Sequence, residues 1–412
     1  MKNGILGPKA QDVRRRRAMA RVATLVRRVS PACIAVLALL VLVMAGQGLA
    51  SADPGAPGSG EPSAARPQTP QPPFPYAAED VRVPNPGAGI TLAGTLFIPE
   101  GHGPFPAALL VTGSGPQDRD ETLFGHKPFL VLADYLARKG IATLRCDDRG
   151  VGASEGNFVL ATTFDFAKDA EAALDWLASR PEIRAEGVGV IGHSEGGIVA
   201  SIIASRRPGL GFAVLLAGPG LSGEEILYLQ NAAIARASGM GEEAIAKANE
   251  VNSKLYAIAK REGDTGVRRE ELASILEAFM GGKPDDPADL KAARRAQVLP
   301  MADSLLVPWF GVFLATDPAS YLREAKAPVL ALIGSKDLQV PPKENLEAIR
   351  NALATSQGGD GLSRAVELEG LNHLFQRTTT GLPAEYGFLP ETFAPAALEV
   401  VGNWLAAVLG LE

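Results

Sequence analysis

The sequence predicts an α/β protein: a mostly parallel, doubly wound sheet with a block of helices inserted between late strands. Three observations carry this expectation. From about residue 79, short apolar runs alternate with amphipathic stretches, the pattern of βαβ units covered on both faces. Between about 219 and 325 the alternation stops and only helical spacing with Gly stops remains. At 412 residues and 46% apolar content, the chain can bury a full core.

The first 52 residues stand outside this pattern. Residues 2–28 carry nine Lys or Arg against the single acid Asp12, followed by the apolar run PACIAVLALLVLVMAG and then Ala50-Ser51-Ala52. A basic segment, an apolar segment and an A-x-A site make a signal peptide over 1–52, so the protein is expected to be exported, periplasmic or secreted. The alternative is an uncleaved N-terminal membrane anchor, since residues 31–50 are nearly long enough to span a bilayer. Residues 53–78, rich in Pro, Gly, Ser and Ala, read as a disordered linker. Cleavage would leave 31 basic and 45 acidic residues, a formal charge of −14, and Cys146 as the one cysteine. An acidic chain without a basic stripe is a poor nucleic-acid binder, and one cysteine excludes an intrachain disulfide. No stable membrane association is expected after cleavage.

The first core segment, 79–218, divides readily. GITLAGTLFIP and AALLVTG read as strands, KPFLVLADYLARKG as a helix, IATLRC as a strand and TTFDFAKDAEAALDWLASR as a helix. VGVIG is then a strand, GGIVASIIASR a helix and FAVLLAG a strand. The second core segment, 326–412, supplies the strand APVLALIG, the helix KENLEAIRNALAT, the strand AVELE and the helix APAALEVVGNWLAAVLG. In between, EEILYLQNAAIARASG, EEAIAKANEVNSKLYAIAKREG and REELASILEAFMGG are helical. An insertion between two sheet strands is most simply a cap, 219–325, lying over the carboxyl edge of the sheet; a separate helical domain is the alternative. The cap's apolar residues, among them Tyr228, Leu229, Ile275, Leu276, Phe279, Trp309, Phe310 and Phe313, are expected to divide between its own packing and a roof over the site.

Two serines stand in G-x-S-x-G: Ser154 in GASEG and Ser194 in GHSEG. A nucleophilic serine in such a sheet sits on a sharp strand-to-helix turn, with glycines where strand and helix pass too close for side chains. VGVI leads straight into Ser194 and a helix leads straight out. Ser154 lies within loops on both sides, so it reads as a chance match. Ser194 is the candidate nucleophile.

A serine needs a base, and the base an orienting acid. Of four histidines, His102 lies in an exposed-looking turn, His126 reads as a cap or packing residue at the next helix, and His193 shares the tight turn and packs beneath it. His373, in the loop LEGLNHLFQ after the last strand, remains as the base. Asp337, just after APVLALIG, is the candidate acid, giving the chain order Ser-Asp-His. Two backbone N–H groups should form an oxyanion hole: that of Glu195, and that of Ser114 in the loop TGSGP. A carboxylate at Glu195 would oppose the oxyanion unless paired, and Arg119, or else Arg149, is expected to neutralise it. No metal or organic cofactor is expected, since Cys and His show no metal-ligand spacing.

The segments GSGPQDRDE, GHKPFLVLADYL, DDRGVGAS, GHSEGG, LLAGPG, GSKDLQVPP and LNHLFQ together resemble a bacterial group of α/β-hydrolase carboxylesterases that carry a helical cap. The resemblance runs from about 79 to 408 and implies the α/β-hydrolase fold, with Ser194 as nucleophile, Asp337 as acid and His373 as base. One departure is Thr112-Gly113 where many α/β hydrolases have His-Gly before the oxyanion donor. The expected function is that of an exported serine carboxylesterase acting on short-to-medium acyl esters as small-molecule substrates. An exopeptidase or thioesterase on the same triad, and a non-catalytic envelope-binding protein, are the alternatives. The exopeptidase would need a cap carboxylate such as Glu224, Glu225, Glu242 or Glu243 for the substrate's ammonium group.

Overall fold

The computed structural model describes residues 66–411, apart from 357, 359 and 360. The signal-peptide segment and the first part of the linker lie outside those residues. Eight strands form one sheet in the order β1-β2-β4-β3-β5-β6-β7-β8. Strands β1 (Tyr76–Asn85), β2 (Ile90–Pro99) and β4 (Ala142–Cys146) pair antiparallel at one edge. Every later neighbour is parallel: β3 (Phe105–Val111), β5 (Ile183–His193), β6 (Ala213–Leu216), β7 (Val329–Gly334) and β8 (Arg364–Leu368). Every residue of β6 and β7 is buried, as continuous apolar runs require when helices cover both faces. The α/β-hydrolase fold is the result.

Helices α1 (Pro128–Arg138), α2 (Thr163–Ala178) and α3 (Glu195–Arg206) follow β3, β4 and β5. The inserted helices are α4 (Gly223–Ala237), α5 (Glu242–Lys260), α6 (Thr265–Phe279), α7 (Ala288–Ser304), α8 (Pro308–Ala315) and α9 (Pro318–Arg323). Helix α10 (Pro342–Leu353) and the last helix, α11 (Pro395–Leu409), complete the core. Apolar side chains of α2, α3 and α10 pack on one face of the sheet, and those of α1 and α11 on the other. Local sequence sets the helix starts. Thr162 with Asp165, and Ser222 with Glu225, form capping boxes that satisfy the free N–H groups at the starts of α2 and α4. The start of α3 has no such side-chain cap, which leaves its first N–H groups open.

The cap rests on the core through α8, whose Trp309, Phe310, Phe313 and Leu314 are buried and which packs against α2, α4 and α5. Trp309 and Phe313 stack with ring centroids 4.9 Å apart. Among the described residues no single helix is long and apolar enough to cross a membrane.

Two features depart from the sequence expectation. Strand β1 was not anticipated and starts before residue 79; only Tyr76, Val81, Val83 and Asn85 face inward, so its apolar signal is sparse. The stretch read as a linker is tied down from Arg66 onward. The Arg66 guanidinium donates to the carbonyls of Phe124, Gly387 and Leu389, and Gln68 exchanges bonds with Thr392 and Phe393. These partners lie up to 325 residues away in sequence, so local composition could not announce them.

Candidate active site

Strand β5 ends at His193 and helix α3 begins at Glu195, so Ser194 occupies the turn between them. Its backbone is left-handed, with φ +53° and ψ −117°, a strain of about 1–3 kcal/mol for a residue with a side chain. The flanking glycines make the turn possible. A Cβ on Gly192 would lie 1.9 Å from the Gly196 carbonyl oxygen, and one on Gly196 would lie 2.2 Å from that of Val111. The sequence expectation for these glycines holds in detail. Ser154 instead lies in a loop, where its hydroxyl donates to the Asp147 carbonyl (2.7 Å) and accepts from Ala93 N–H (2.8 Å).

Asp337 and His373 follow β7 and β8 and meet at the same end of the sheet. His373 Nδ1 lies 2.8 Å from Asp337 Oδ2, with both residues almost fully buried. Asp337 Oδ1 accepts the Gln339 and Val340 N–H groups, each at 2.8 Å, which fixes the carboxylate plane. The close approach depends on Gly334: a Cβ there would stand 2.1 Å from the Leu371 carbonyl oxygen. With Nδ1 committed to the carboxylate, Nε2 is the nitrogen left for a proton in transit. The His373 loop reaches the elbow through His193, whose ring centroid is 4.8 Å from that of His373.

The loop after β3 completes the cluster. A Cβ on Gly113 would lie 3.1 Å from Ser194 Cβ, which brings this loop against the turn. Gly113 N–H is taken by Glu121 Oε1 at 2.8 Å. The Ser114 hydroxyl donates to Glu195 Oε2 (2.8 Å), while Glu195 Oε1 accepts from Thr163 Oγ1 (2.7 Å) and from Trp309 Nε1 (2.6 Å). Burial raises the Glu195 carboxyl, and these three donors pull it back toward ionisation. Asp148, bonded by Thr112 Oγ1 and Gln117 N–H, is pushed up to about 8 by burial, with Glu121 and Glu195 adding like charge.

Several sequence expectations need correction here. Neither arginine neutralises Glu195: Arg119 pairs with Asp147 (2.8 Å) and Asp80 (3.2 Å), and Arg149 with Asp169 (2.6 Å). Neutral donors hold the carboxylate instead. Of the two expectations for His126, packing holds rather than capping: its ring is buried between Thr392 Oγ1 and the Tyr386 carbonyl oxygen. A cavity of about 50 Å³ borders Gly113 and Glu195 and is lined also by Asp148, Phe158 and Phe166, but not by Ser194, Asp337 or His373. Of the apolar cap residues, Leu276, Trp309, Phe310 and Phe313 are buried in packing, and Trp309 also reaches Glu195, the residue after Ser194. Sequence reasoning missed Glu121, Thr163 and the bond from Trp309. GPQDRDE was visible as a motif, but nothing local shows which way Glu121 faces. Among the described residues no group of three or more His, Cys, Asp or Glu is placed to hold a metal ion.

A model of the X-Pro dipeptidyl-peptidase (S15) family matches residues 88–357, more than half of the chain. The chain belongs to the X-Pro dipeptidyl-peptidase (S15) family. The S15 match includes Ser194 and Asp337 and stops short of His373. Esterase EstD of Thermotoga maritima is 29% identical over 258 residues, covering 61% of this chain and 52% of that protein. The mitochondrial acyl-coenzyme A thioesterase 2 of Homo sapiens is 31% identical over 129 residues, 30% of this chain and 23% of that protein. This S15 member thus spans about half the length of the first relative and about a quarter of the second. Among solved structures it is similar to the Pyrococcus furiosus esterase Pf2001, with 17% identity and a TM-score of 0.48 over 86% of this chain and 100% of that one. The expected likeness to bacterial α/β-hydrolase esterases is borne out.

Proposed function

We propose that the protein is a serine hydrolase that cleaves carboxylic esters through an acyl-enzyme on Ser194. The observation that carries the reading is the left-handed Ser194 turn set beside a buried Asp337–His373 pair. His373 Nε2 takes the Ser194 proton as the hydroxyl attacks the ester carbonyl, and Asp337 holds the ring in the tautomer that this requires. The Glu195 and Ser114 N–H groups receive the oxyanion, helped by the uncapped start of α3. His373 then protonates the departing alcohol, and water releases the acid by the same steps. The residues cited need no metal or organic cofactor.

Ester rather than peptide cleavage is favoured by the state of the cap carboxylates. Glu224 is engaged by Lys260 and Tyr228, Glu225 by the capping box of Ser222, and Glu242 by Arg236. Glu243 points from the exposed start of α5. Three of the four are thus already engaged, and the fourth lies on an exposed surface. The S15 family name keeps the exopeptidase reading as the rival, and an amide substrate separates the two.

We place a short acyl group in the small cavity that borders Gly113 and Glu195, next to Ser194 in the chain. Activity on p-nitrophenyl esters should therefore peak at short chains and fall steeply beyond them. Phe166→Ala, which opens the wall formed by the stacked pair Phe158–Phe166, should move the peak to longer chains. A panel of esters, thioesters and aminoacyl amides tests this; amide turnover exceeding ester turnover would overturn the proposal. Export belongs to the same proposal on the strength of the basic, apolar and A-x-A segments. An intact segment 1–52 on protein recovered from the native host's membranes would contradict it.

A further inference from the structure

His193 ends β5, immediately before the candidate nucleophile, and is almost fully buried. Its two ring nitrogens face two acceptors. Nδ1 is 2.8 Å from Glu121 Oε1, and Nε2 is 3.0 Å from the backbone carbonyl oxygen of His373. A carbonyl oxygen cannot donate, so Nε2 carries a hydrogen. A nitrogen and an oxygen 2.8 Å apart also need a hydrogen between them. Glu121 Oε1 already accepts Gly113 N–H, and Glu121 Oε2 is buried with no hydrogen-bond partner. An imidazole is more basic than a carboxyl group, so the second hydrogen belongs to Nδ1. His193 is then an imidazolium and Glu121 its carboxylate.

The arrangement joins three pieces of the site. Glu121 holds the oxyanion loop at Gly113, His193 belongs to the elbow, and the His373 carbonyl anchors the loop of the base. Glu121 itself sits at φ +52°, a strained backbone that its two bonds help to maintain. We propose that Glu121 and His193 are positioning residues, an ion pair whose second ring proton clamps the oxyanion loop and the His373 loop around Ser194. This rests on the hydrolase reading given above.

The groups facing the His193 ring are Glu121 from the loop after β3, and His373 and Asp337 from the loops after β8 and β7. Burial opposes the imidazolium, but the charge and hydrogen bond of Glu121, with the His373 carbonyl, outweigh it and the pKa is raised.

Glu121→Gln removes the counter-charge while keeping the side chain's shape. In selectively 15N-His-labelled wild-type protein at pH 7.5, long-range 1H–15N correlation should show both His193 nitrogens protonated. His193→Asn assigns those signals. In Glu121→Gln one of the two nitrogens should lose its proton, and kcat should fall about tenfold or more with KM within about twofold. A wild-type His193 with a bare ring nitrogen at pH 7.5 would overturn the clamp, as would a Glu121→Gln enzyme with wild-type kcat. Labelling of wild-type Ser194 by a fluorophosphonate is the separate control. Its failure would overturn the hydrolase reading, while the NMR result still decides the state of the pair.

Discussion

Replacing Trp309 by Phe removes one hydrogen atom's worth of chemistry from the contact between cap and core. The indole N–H donates to Glu195 Oε1 at 2.6 Å, inside a nearly closed environment, while the ring stacks on Phe313. Phe retains the stack. A hydrogen bond to a buried charged group contributes about 1.5–3 kcal/mol, and the smaller ring forfeits roughly a further 1 kcal/mol of apolar burial. The variant should therefore be less stable by about 2–4 kcal/mol. The loss should depend on pH. Burial raises the Glu195 carboxyl, and the bonds from Thr163, Trp309 and Ser114 oppose that rise. Losing a donor raises it further, so the folded variant holds its proton to higher pH than the wild type. The stability difference is then smallest while both folded proteins hold the Glu195 proton, and it grows as pH rises past the wild-type folded pKa, which burial already places above the ordinary carboxyl value. Urea unfolding followed by circular dichroism at pH 5 and pH 8 measures both quantities. Thr163→Val removes the other donor to the same oxygen, and the double variant should lose more than the sum of the two. A loss under about 0.5 kcal/mol at pH 8, unchanged at pH 5, would refute the reasoning.

Ser194→Ala should abolish ester hydrolysis by several orders of magnitude, whereas Ser154→Ala should retain it and lose about 2 kcal/mol of stability with its two hydrogen bonds; kinetics and urea midpoints on both variants separate the roles. Asp148 is pushed up to about 8 mainly by burial, so the folded protein keeps a proton that the unfolded chain gives up near pH 4. Stability should fall across that window by up to about 1.4 kcal/mol per pH unit from this group, and Asp148→Asn should flatten the dependence of Tm on pH between 5 and 8. Parallel wild-type and variant curves would contradict it.

The parts of this fold that sequence reveals are those whose signal is local. The apolar runs of β6 and β7 are buried on both faces and could be read as strands without further knowledge. The Ser194 turn was legible because its two glycines are demanded by backbone contacts within a few residues or with the adjacent strand. Asp337 and His373 were legible from their order after successive strands. The partners of Glu195 were not. Trp309 is 114 positions away and Thr163 is 32, and the choice among hydroxyl, indole and guanidinium donors is made by packing. Arg119 and Arg149 lay near enough in sequence to be chosen, yet Asp147 and Asp169 claim them. Strand β1 escaped notice for a related reason: an edge strand with one wet face needs few apolar residues.

The central claim, an activated Ser194, is tested most directly by peptide mass spectrometry after reaction with a fluorophosphonate probe. The account predicts one covalent adduct, on the peptide containing Ser194, forming quickly in the wild type and at a rate reduced by several orders of magnitude in His373→Ala. An adduct on the Ser154 peptide, or none on either peptide in folded wild-type protein, would contradict it.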